Sequence, residues 1–183
     1  MTFLELAARR QSVRAYLDKP VAREKLARCL EAARLAPSAS NSQPWRFVVA
    51  DEPSLKDAVA DETFSKLVSF NSFVPQAPVL VLVMAERPGL LMQIGGALKR
   101  KPLHLFDVGM ACEHFCLQAA EEGLGTCMLG WFNERRIKKI VGLPRGKRLV
   151  LLICVGYPRE DAVRVKKRKP LEELVRYNNH ISN

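Results

Sequence analysis

The chain lacks the sequence motifs that identify several common classes of enzyme. It has no phosphate-loop lysine motif, no HExxH pair and no nucleophile elbow, so the sequence signatures of P-loop ATPases, zincins and α/β-hydrolases are excluded. Only three histidines occur among the 183 residues, too scattered to indicate a catalytic triad. The longest apolar run, PVLVLVMA, has the length of a strand, whereas a membrane span needs roughly 20 residues. We therefore expect no membrane association.

Cysteine is scarce and its count is odd, which favours reduced thiols over a disulfide framework. The five cysteines lie mostly in apolar segments: Cys29, Cys112, Cys116, Cys127 and Cys154. Cys112, His114 and Cys116 could suggest a metal site, but on a helix the two cysteines share a face and the histidine points away. We expect structural thiols and no metal. The N-terminal TFLELAARR has no apolar signal core, so the sequence predicts a cytoplasmic protein.

Acidic residues are outnumbered, because 29 basic and 19 acidic side chains give a net charge of +10. Such a charge favours anionic partners without naming them. The basic residues form short clusters at 99–101, 138–139 and 166–169. Without zinc-finger spacing, an RNA-binding signature or interleaved aromatics, a solvated surface explains them best, and we expect no nucleic acid. A basic nucleic-acid-binding module stays a distant alternative, and it predicts strongly salt-dependent binding.

Helical and strand patterns alternate along the chain. Apolar spacing and capping residues predict helices over 2–10, 22–36, from Pro53 onward, 103–122, 133–141 and 171–177. Strands are predicted over 46–50, 78–85 and 149–156, with another after Gly125. The helix 103–122 is apolar almost all round, so we expect it in a core or against a second subunit. With no repeat and no linker, residues 1–183 are predicted to form a single α+β domain.

Three polar or basic segments stand out against this apolar background. They are RRQSVR at 9–14, PSASNSQPW at 37–45, and the basic run at 166–169. A chain without reactive side chains of its own, but with such segments, is typical of a protein that binds a cofactor to carry the chemistry. Arginine is well shaped to hold a phosphate group through two hydrogen bonds.

The same segments resemble the motifs of the nitroreductase family, which are FMN-dependent NAD(P)H oxidoreductases. RRQSVRAY is similar to the N-terminal flavin motif of that family, and PSASNSQPWRFVV to its second signature. DVGMACEHFCLQAAEEGLGTCMLGWF resembles its central helix and glycine-bearing strand, and KKRKPLEELV its C-terminal phosphate-binding segment. The four segments follow in the family's order from about residue 8 to 176.

The resemblance implies a fold and an assembly. The fold would be a central mixed or antiparallel sheet flanked by helices, in a domain-swapped homodimer with two FMN sites at the subunit interface. Helix 103–122 would form the dimer core, and a C-terminal extension of about 164–183 would pack on the partner subunit. The loop residues Pro37, Ser38, Ala39, Ser40 and Asn41 would reach the flavin of the partner subunit. The other subunit would supply Arg10, Gln11, Ser12 and Arg14.

The resemblance also implies individual roles. Arg10 and Arg168, with Lys166 nearby, would hold the phosphate of FMN. Arg14 would lie beside the pyrimidine edge of the ring, Leu129 and Gly130 would line the ring near N5, and Asn71 would approach it. The catalytic atom would be the flavin N5, with no catalytic side chain.

The implied reaction is a ping-pong one, in which NAD(P)H delivers hydride to FMN and a nitroaromatic, quinone or similar flat acceptor is then reduced. The same fold and cofactor could instead support dehalogenation, dehydrogenation or flavin breakdown. Two departures from the family pattern leave the acceptor open. Leu129 stands where several members carry an acidic residue, and the segment 86–101 is short, with Gly89, Gly95 and Gly96 predicting mobility. The choice between NADH and NADPH is also open.

Overall fold

A computed structural model describes residues 1–65, 69–86, 102–144 and 146–178 of the chain. The glycines Gly89, Gly95 and Gly96, on which the predicted mobility of segment 86–101 depends, lie outside the described residues, as does the basic cluster 99–101. The helices are α1 (Phe3–Arg9), α2 (Arg23–Arg34), α3 (Pro53–Ala60), α4 (Leu103–Glu121), α5 (Glu134–Ile140) and α6 (Leu171–Leu174). The strands are β1 (Trp45–Ala50), β2 (Val79–Ala85), β3 (Gly125–Leu129) and β4 (Arg148–Gly156).

The four strands form one antiparallel sheet in the order β1-β2-β4-β3. In the middle of the sheet Val81 pairs with Val49 on one side and with Ile153 on the other. Every residue of β2 is buried, as the continuous apolar run predicts for a strand covered on both faces. The α+β prediction is confirmed, and of the two sheet types expected, the structure has the antiparallel one.

Helices cover both faces of this sheet because side chains along a strand alternate between its faces. Val79, Val81 and Val83 pack with α2 and α4 in one apolar cluster. Leu80 and Leu82 point the other way and pack with α3 and α5 in a second cluster. Burying each such side chain contributes about 1.5–3 kcal/mol, so the two clusters hold three layers together.

The helix ends follow from local sequence. Thr2 and Glu5 form a reciprocal capping box at the start of α1, which satisfies two free backbone N–H groups. The last helix is shorter than predicted, because α6 ends at Leu174 and Val175 is already extended. A single helical turn has little cooperative stability of its own, so the predicted continuation to 177 does not form.

Helix α4 buries only part of its apolar surface within the chain. Val108, Ala111 and Phe115 are buried in the core, as the apolar pattern predicts. Phe106 is nevertheless 58% exposed and Met110 38% exposed, and Phe3 in the neighbouring α1 is 68% exposed. This uncovered face fits the predicted contact with a second subunit, which stays a prediction. No helix in the described ranges is both long enough and apolar enough to cross a membrane.

Candidate functional site

The N-terminal motif lies along the outer edge of β3. Ser12 forms a parallel bridge with Thr126, and the backbone N–H of Val13 donates to the Thr126 carbonyl at 2.8 Å. The Tyr16 hydroxyl donates to the Val13 carbonyl, also at 2.8 Å. Gly125 lets Val13 approach, because a Cβ at position 125 would lie 2.6 Å from Val13 Cγ2. Ser12 and Val13 are therefore held against β3 by backbone contacts.

The C-terminal segment returns to this motif within the same chain. Gln11 Oε1 accepts hydrogen bonds from the backbone N–H and Nε of Arg164, both at 3.1 Å, and Gln11 Nε2 donates to Ala162 O at 2.9 Å. Arg164 also donates to the Ser12 carbonyl at 2.5 Å. Arg164 is absent from the predicted site residues, because it precedes the basic run that carries the resemblance. Packing of the extension 164–183 on a partner stays a prediction.

The predicted phosphate residues come together beside α1. Lys166 Nζ donates to the Ala7 carbonyl at 2.5 Å. Its pKa is lowered, first by desolvation and then by the positive charges of Arg10 and Arg168. Arg10 Nε donates to Glu113 Oε1 of α4 at 2.9 Å. An anionic group at this point would offset the charge repulsion that lowers the pKa of Lys166, so the residues fit the phosphate of FMN.

The loop after α2 has an unfavourable backbone. Ser40, Asn41 and Gln43 have φ values of 52°, 51° and 45°, in the left-handed region that residues other than glycine rarely adopt. Each such residue costs about 1–3 kcal/mol and persists only where the surroundings fix it. Asp107 of α4, 4% exposed, fixes the loop by accepting the Ala39 N–H at 3.2 Å. Strain of this kind is typical of ligand clamps.

Two buried polar atoms, one in this loop and one in α4, lack partners among the described residues. Asp107 Oδ2 and Ser42 Oγ are buried without a hydrogen bond among the described residues. Nothing in the sequence pattern identified Asp107, because it lies within the apolar stretch of α4. In the described part of the chain, no hydrogen bond or ion pair joins residues 37–43 to residues 10–14. That the two groups serve different flavins stays a prediction.

Asn71 holds together the segments around it. It is 4% exposed, and its Nδ2 donates to Thr63 O at 3.1 Å and to Trp131 O at 3.0 Å. Beside it Phe70 and Trp131 are 61% and 59% exposed, with ring centroids 6.1 Å apart in an edge-to-face arrangement. No local sequence pattern indicates this exposed aromatic pair, because the two residues lie far apart in the chain.

The remaining predicted residues differ in what they can offer a ligand. The Leu129 side chain is buried in the core, so only its backbone can face a ligand, whereas Gly130 is exposed. Arg14 is exposed, and its guanidinium carbon lies 6.0 Å from the centroid of the Phe73 ring. That contact positions the cation without neutralising it.

The cysteines near α4 have structural positions. Cys112 and Cys116 are buried, and burial raises the pKa of each thiol to about 12, so both stay protonated near neutral pH. His114 Nδ1 lies 3.3 Å from the Ala32 carbonyl of α2. The imidazole and the thiols therefore do not converge on one point.

Similarity to known proteins agrees with this geometry. The sequence profile described as the nitroreductase family matches residues 7–157, so the match ends before the basic run at 166–169. An NADH dehydrogenase of Thermus thermophilus is 30% identical over 195 residues, covering 92% of each chain. An iodotyrosine deiodinase of Thermotoga neapolitana is 29% identical, covering 95% of this chain and 96% of the other.

Solved structures extend the likeness to the fold. A nitroreductase family protein from Clostridium difficile 630 superposes with a TM-score of 0.77 at 29% identity, covering 98% of this chain and 99% of the other. The chain therefore shares the fold of that nitroreductase family protein. With the profile matching most of the chain, this protein is an oxidoreductase that belongs to the nitroreductase family.

Proposed function

We propose that the protein binds FMN in a homodimer and uses NAD(P)H to reduce nitroaromatic, quinone or similar flat acceptors by a ping-pong mechanism. The observation that carries the proposal is the cluster of Arg10, Lys166 and Arg168 beside the edge-bound N-terminal motif. Lys166 is partly desolvated and is influenced by the charges of Arg10 and Arg168, and such cations next to a fixed backbone make a site for a phosphate-bearing ligand. Membership of the family makes FMN the best candidate for that ligand.

Different residues would contact different parts of FMN. The phosphate would be held by Arg10, Lys166 and Arg168. Gln11 and Ser12 would contact the rest of the cofactor from positions that Arg164 and β3 fix, and Asn71, Gly130 and the backbone of Leu129 would lie at the ring. FMN, when bound, supplies a hydride acceptor and donor at N5. The protein's own task is to bind and orient it.

A second copy of the chain would complete the site. The strained loop with Pro37, Ser38, Ala39, Ser40 and Asn41 would contact the flavin of the partner subunit, and this contact is a reason for the strain to persist. The exposed apolar face of α4 would supply the buried surface of the dimer. Asp107 Oδ2, buried without a partner in the described part of the chain, marks the loop as incomplete on its own.

Arg14 would stabilise the negative charge that the pyrimidine edge of the flavin gains on reduction. At about 4 Å and an effective dielectric near 20, a cation contributes about 4 kcal/mol before desolvation and screening. For a two-electron couple about 30 mV corresponds to 1.4 kcal/mol, so the net effect is on the order of tens of millivolts. We expect Arg14→Gln to lower the FMN midpoint potential and to slow reduction by NAD(P)H. Spectroelectrochemical titration measures the potential.

The matched control for that variant is Arg135→Gln, which removes one exposed positive charge from α5. It should leave the potential within a few millivolts of the wild-type value. An equal shift in both variants would mean that net charge, and not the position of Arg14, sets the potential.

The aromatic pair offers a stacking surface for flat acceptors. Trp131→Ala is expected to raise KM for a nitroaromatic about three- to tenfold, because an aromatic contact contributes about 0.5–1.5 kcal/mol. The KM for NAD(P)H should change less, and Trp131→Phe should retain most of the acceptor affinity. Steady-state kinetics with each substrate varied in turn checks this. Equal changes in both KM values would remove Trp131 from the acceptor site.

The experiment that tests the proposal as a whole is the visible spectrum of the purified protein, with mass identification of the released chromophore. We expect a yellow protein with about one FMN per chain, because a dimer with two interfacial sites has one site for each chain. Rapid NAD(P)H oxidation with a nitroaromatic should follow. A colourless protein that takes up no added FMN would contradict the proposal.

A second reaction has support from relatives named as iodotyrosine deiodinases. The iodotyrosine deiodinase of Thermotoga neapolitana matches nearly the whole chain. Reductive dehalogenation on the same fold and cofactor is therefore the alternative reaction to test. Release of iodide from iodotyrosine, faster than reduction of any nitroaromatic, would favour it.

A further inference from the structure

A carboxylate lies beside the proposed phosphate site formed by Arg10, Lys166 and Arg168. Glu113 projects from α4 toward Arg10, and its Oε1 accepts the Arg10 Nε–H at 2.9 Å. The two side chains are 38% and 29% exposed, so the pair is open to solvent and to ligands. The negative charge of Glu113 also reaches Lys166, whose pKa it raises in opposition to the neighbouring cations. One acidic group thus partly neutralises a site built for an anion.

The backbone that carries this carboxylate is held by the core. Cys112, Phe115 and Cys116 flank Glu113 in α4, and all three are buried against the sheet. The helix therefore keeps the Glu113 backbone beside Arg10, and only the side chain can turn away. One N–H donor of the Arg10 guanidinium is already bonded to Glu113, so it is not free for a phosphate. The negative charge of Glu113 would also repel the phosphate.

We propose that Glu113 is an internal competitor of the flavin phosphate for Arg10, and that it sets how strongly the protein prefers FMN over flavins without a phosphate. The inference rests on the proposed function, since it takes the cluster as the FMN phosphate site. A phosphate monoester carries about −1.5 to −2 charges at neutral pH, so repulsion from Glu113 acts on FMN and spares riboflavin. Glu113 thereby weakens FMN retention.

The test is a titration of the flavin-free full-length protein with FMN and, separately, with riboflavin, followed by quenching of flavin fluorescence. Glu113→Gln keeps the shape of the side chain and removes its charge. We expect it to lower the Kd for FMN about tenfold and to leave the Kd for riboflavin unchanged, because removing a nearby like charge favours only the charged ligand. The gain should shrink at high salt, where charges are screened.

Two further variants make the result specific. Glu121→Gln removes one exposed carboxylate at the C-terminal end of the same helix and should change neither Kd. Glu113→Ala removes the competing group altogether and should also tighten FMN binding. Thermal unfolding of each variant checks that the fold is intact.

Three other outcomes would contradict the proposal, and each has a different cause. Unchanged or weaker FMN binding in Glu113→Gln would mean that the carboxylate does not compete, or that it orients Arg10 for the phosphate. Equal changes for FMN and riboflavin would mean a structural role in α4. Failure of the wild-type protein to bind either flavin would instead refute the proposed function, and this inference with it.

Discussion

Replacing Gly125 by alanine is expected to destabilise the fold by about 2 kcal/mol, since forcing an extra methyl group into a packed site costs about 1–3 kcal/mol. The new Cβ would lie 2.6, 2.8 and 2.9 Å from the three side-chain carbons of Val13. Real Cβ atoms do not approach so closely, so either Val13 or β3 must move.

Val13 cannot move freely, because both its backbone groups are bonded. Its N–H donates to Thr126 O and its carbonyl accepts the Tyr16 hydroxyl. A shift of Val13 breaks one of these bonds and displaces Ser12 and Arg14, its neighbours in the flavin motif. Gly125→Ala is therefore also expected to weaken FMN binding by about tenfold or more, as misplacement of binding groups by a fraction of an ångström does.

Chemical denaturation and flavin titration measure the two effects on the same sample. Gly146→Ala is the matched control, because a Cβ there meets nothing within 4 Å and the backbone is not left-handed. Val13→Ala combined with Gly125→Ala should recover part of both losses. An unchanged free energy of unfolding in Gly125→Ala would show that Val13 or β3 can shift at little cost, which would contradict this prediction.

The second large effect is expected at the phosphate cluster. Arg10→Gln should weaken FMN binding about tenfold to a hundredfold at low salt, because a hydrogen bond to a charged group contributes about 1.5–3 kcal/mol. Lys166→Gln should act in the same direction. Riboflavin binding should change little in either variant, because riboflavin has no phosphate for these cations to hold.

Isothermal titration at two salt concentrations checks this result and its electrostatic origin. Lys139→Gln is the control, since it removes an exposed cation from α5. Equal losses for FMN and riboflavin in Arg10→Gln would indicate damage to the end of α1 in place of a phosphate contact.

Much of the fold could be predicted from local sequence. Regular apolar spacing and the following Pro37 predict a helix over 22–36, and α2 spans Arg23–Arg34. Strand β2 was predicted one residue too long at its start. The family resemblance located the N-terminal motif, and Lys166 lies within the electrostatic influence of Arg10 and Arg168. Their role at a phosphate stays a prediction.

The rest depends on contacts that no local pattern contains. Asp107 lies in an apolar helix and gains its place only when α4 meets the loop at Ala39. Arg164 contacts Gln11 across more than 150 residues. The left-handed backbone conformation of Ser40 could not be predicted, because the residue is not glycine. Packing, and not local propensity, fixes that conformation.

The placement of β3 at the end of the sheet has a consequence for solubility. A terminal strand exposes unpaired backbone groups, which can recruit strands from other molecules and start aggregation. Ser12 and Val13 occupy part of that edge by pairing with Thr126. The segment that carries the proposed flavin-binding residues therefore also shields this edge of the sheet from other chains. We therefore expect proteolytic loss of residues 1–13 to expose the β3 edge and to promote self-association of the remaining protein.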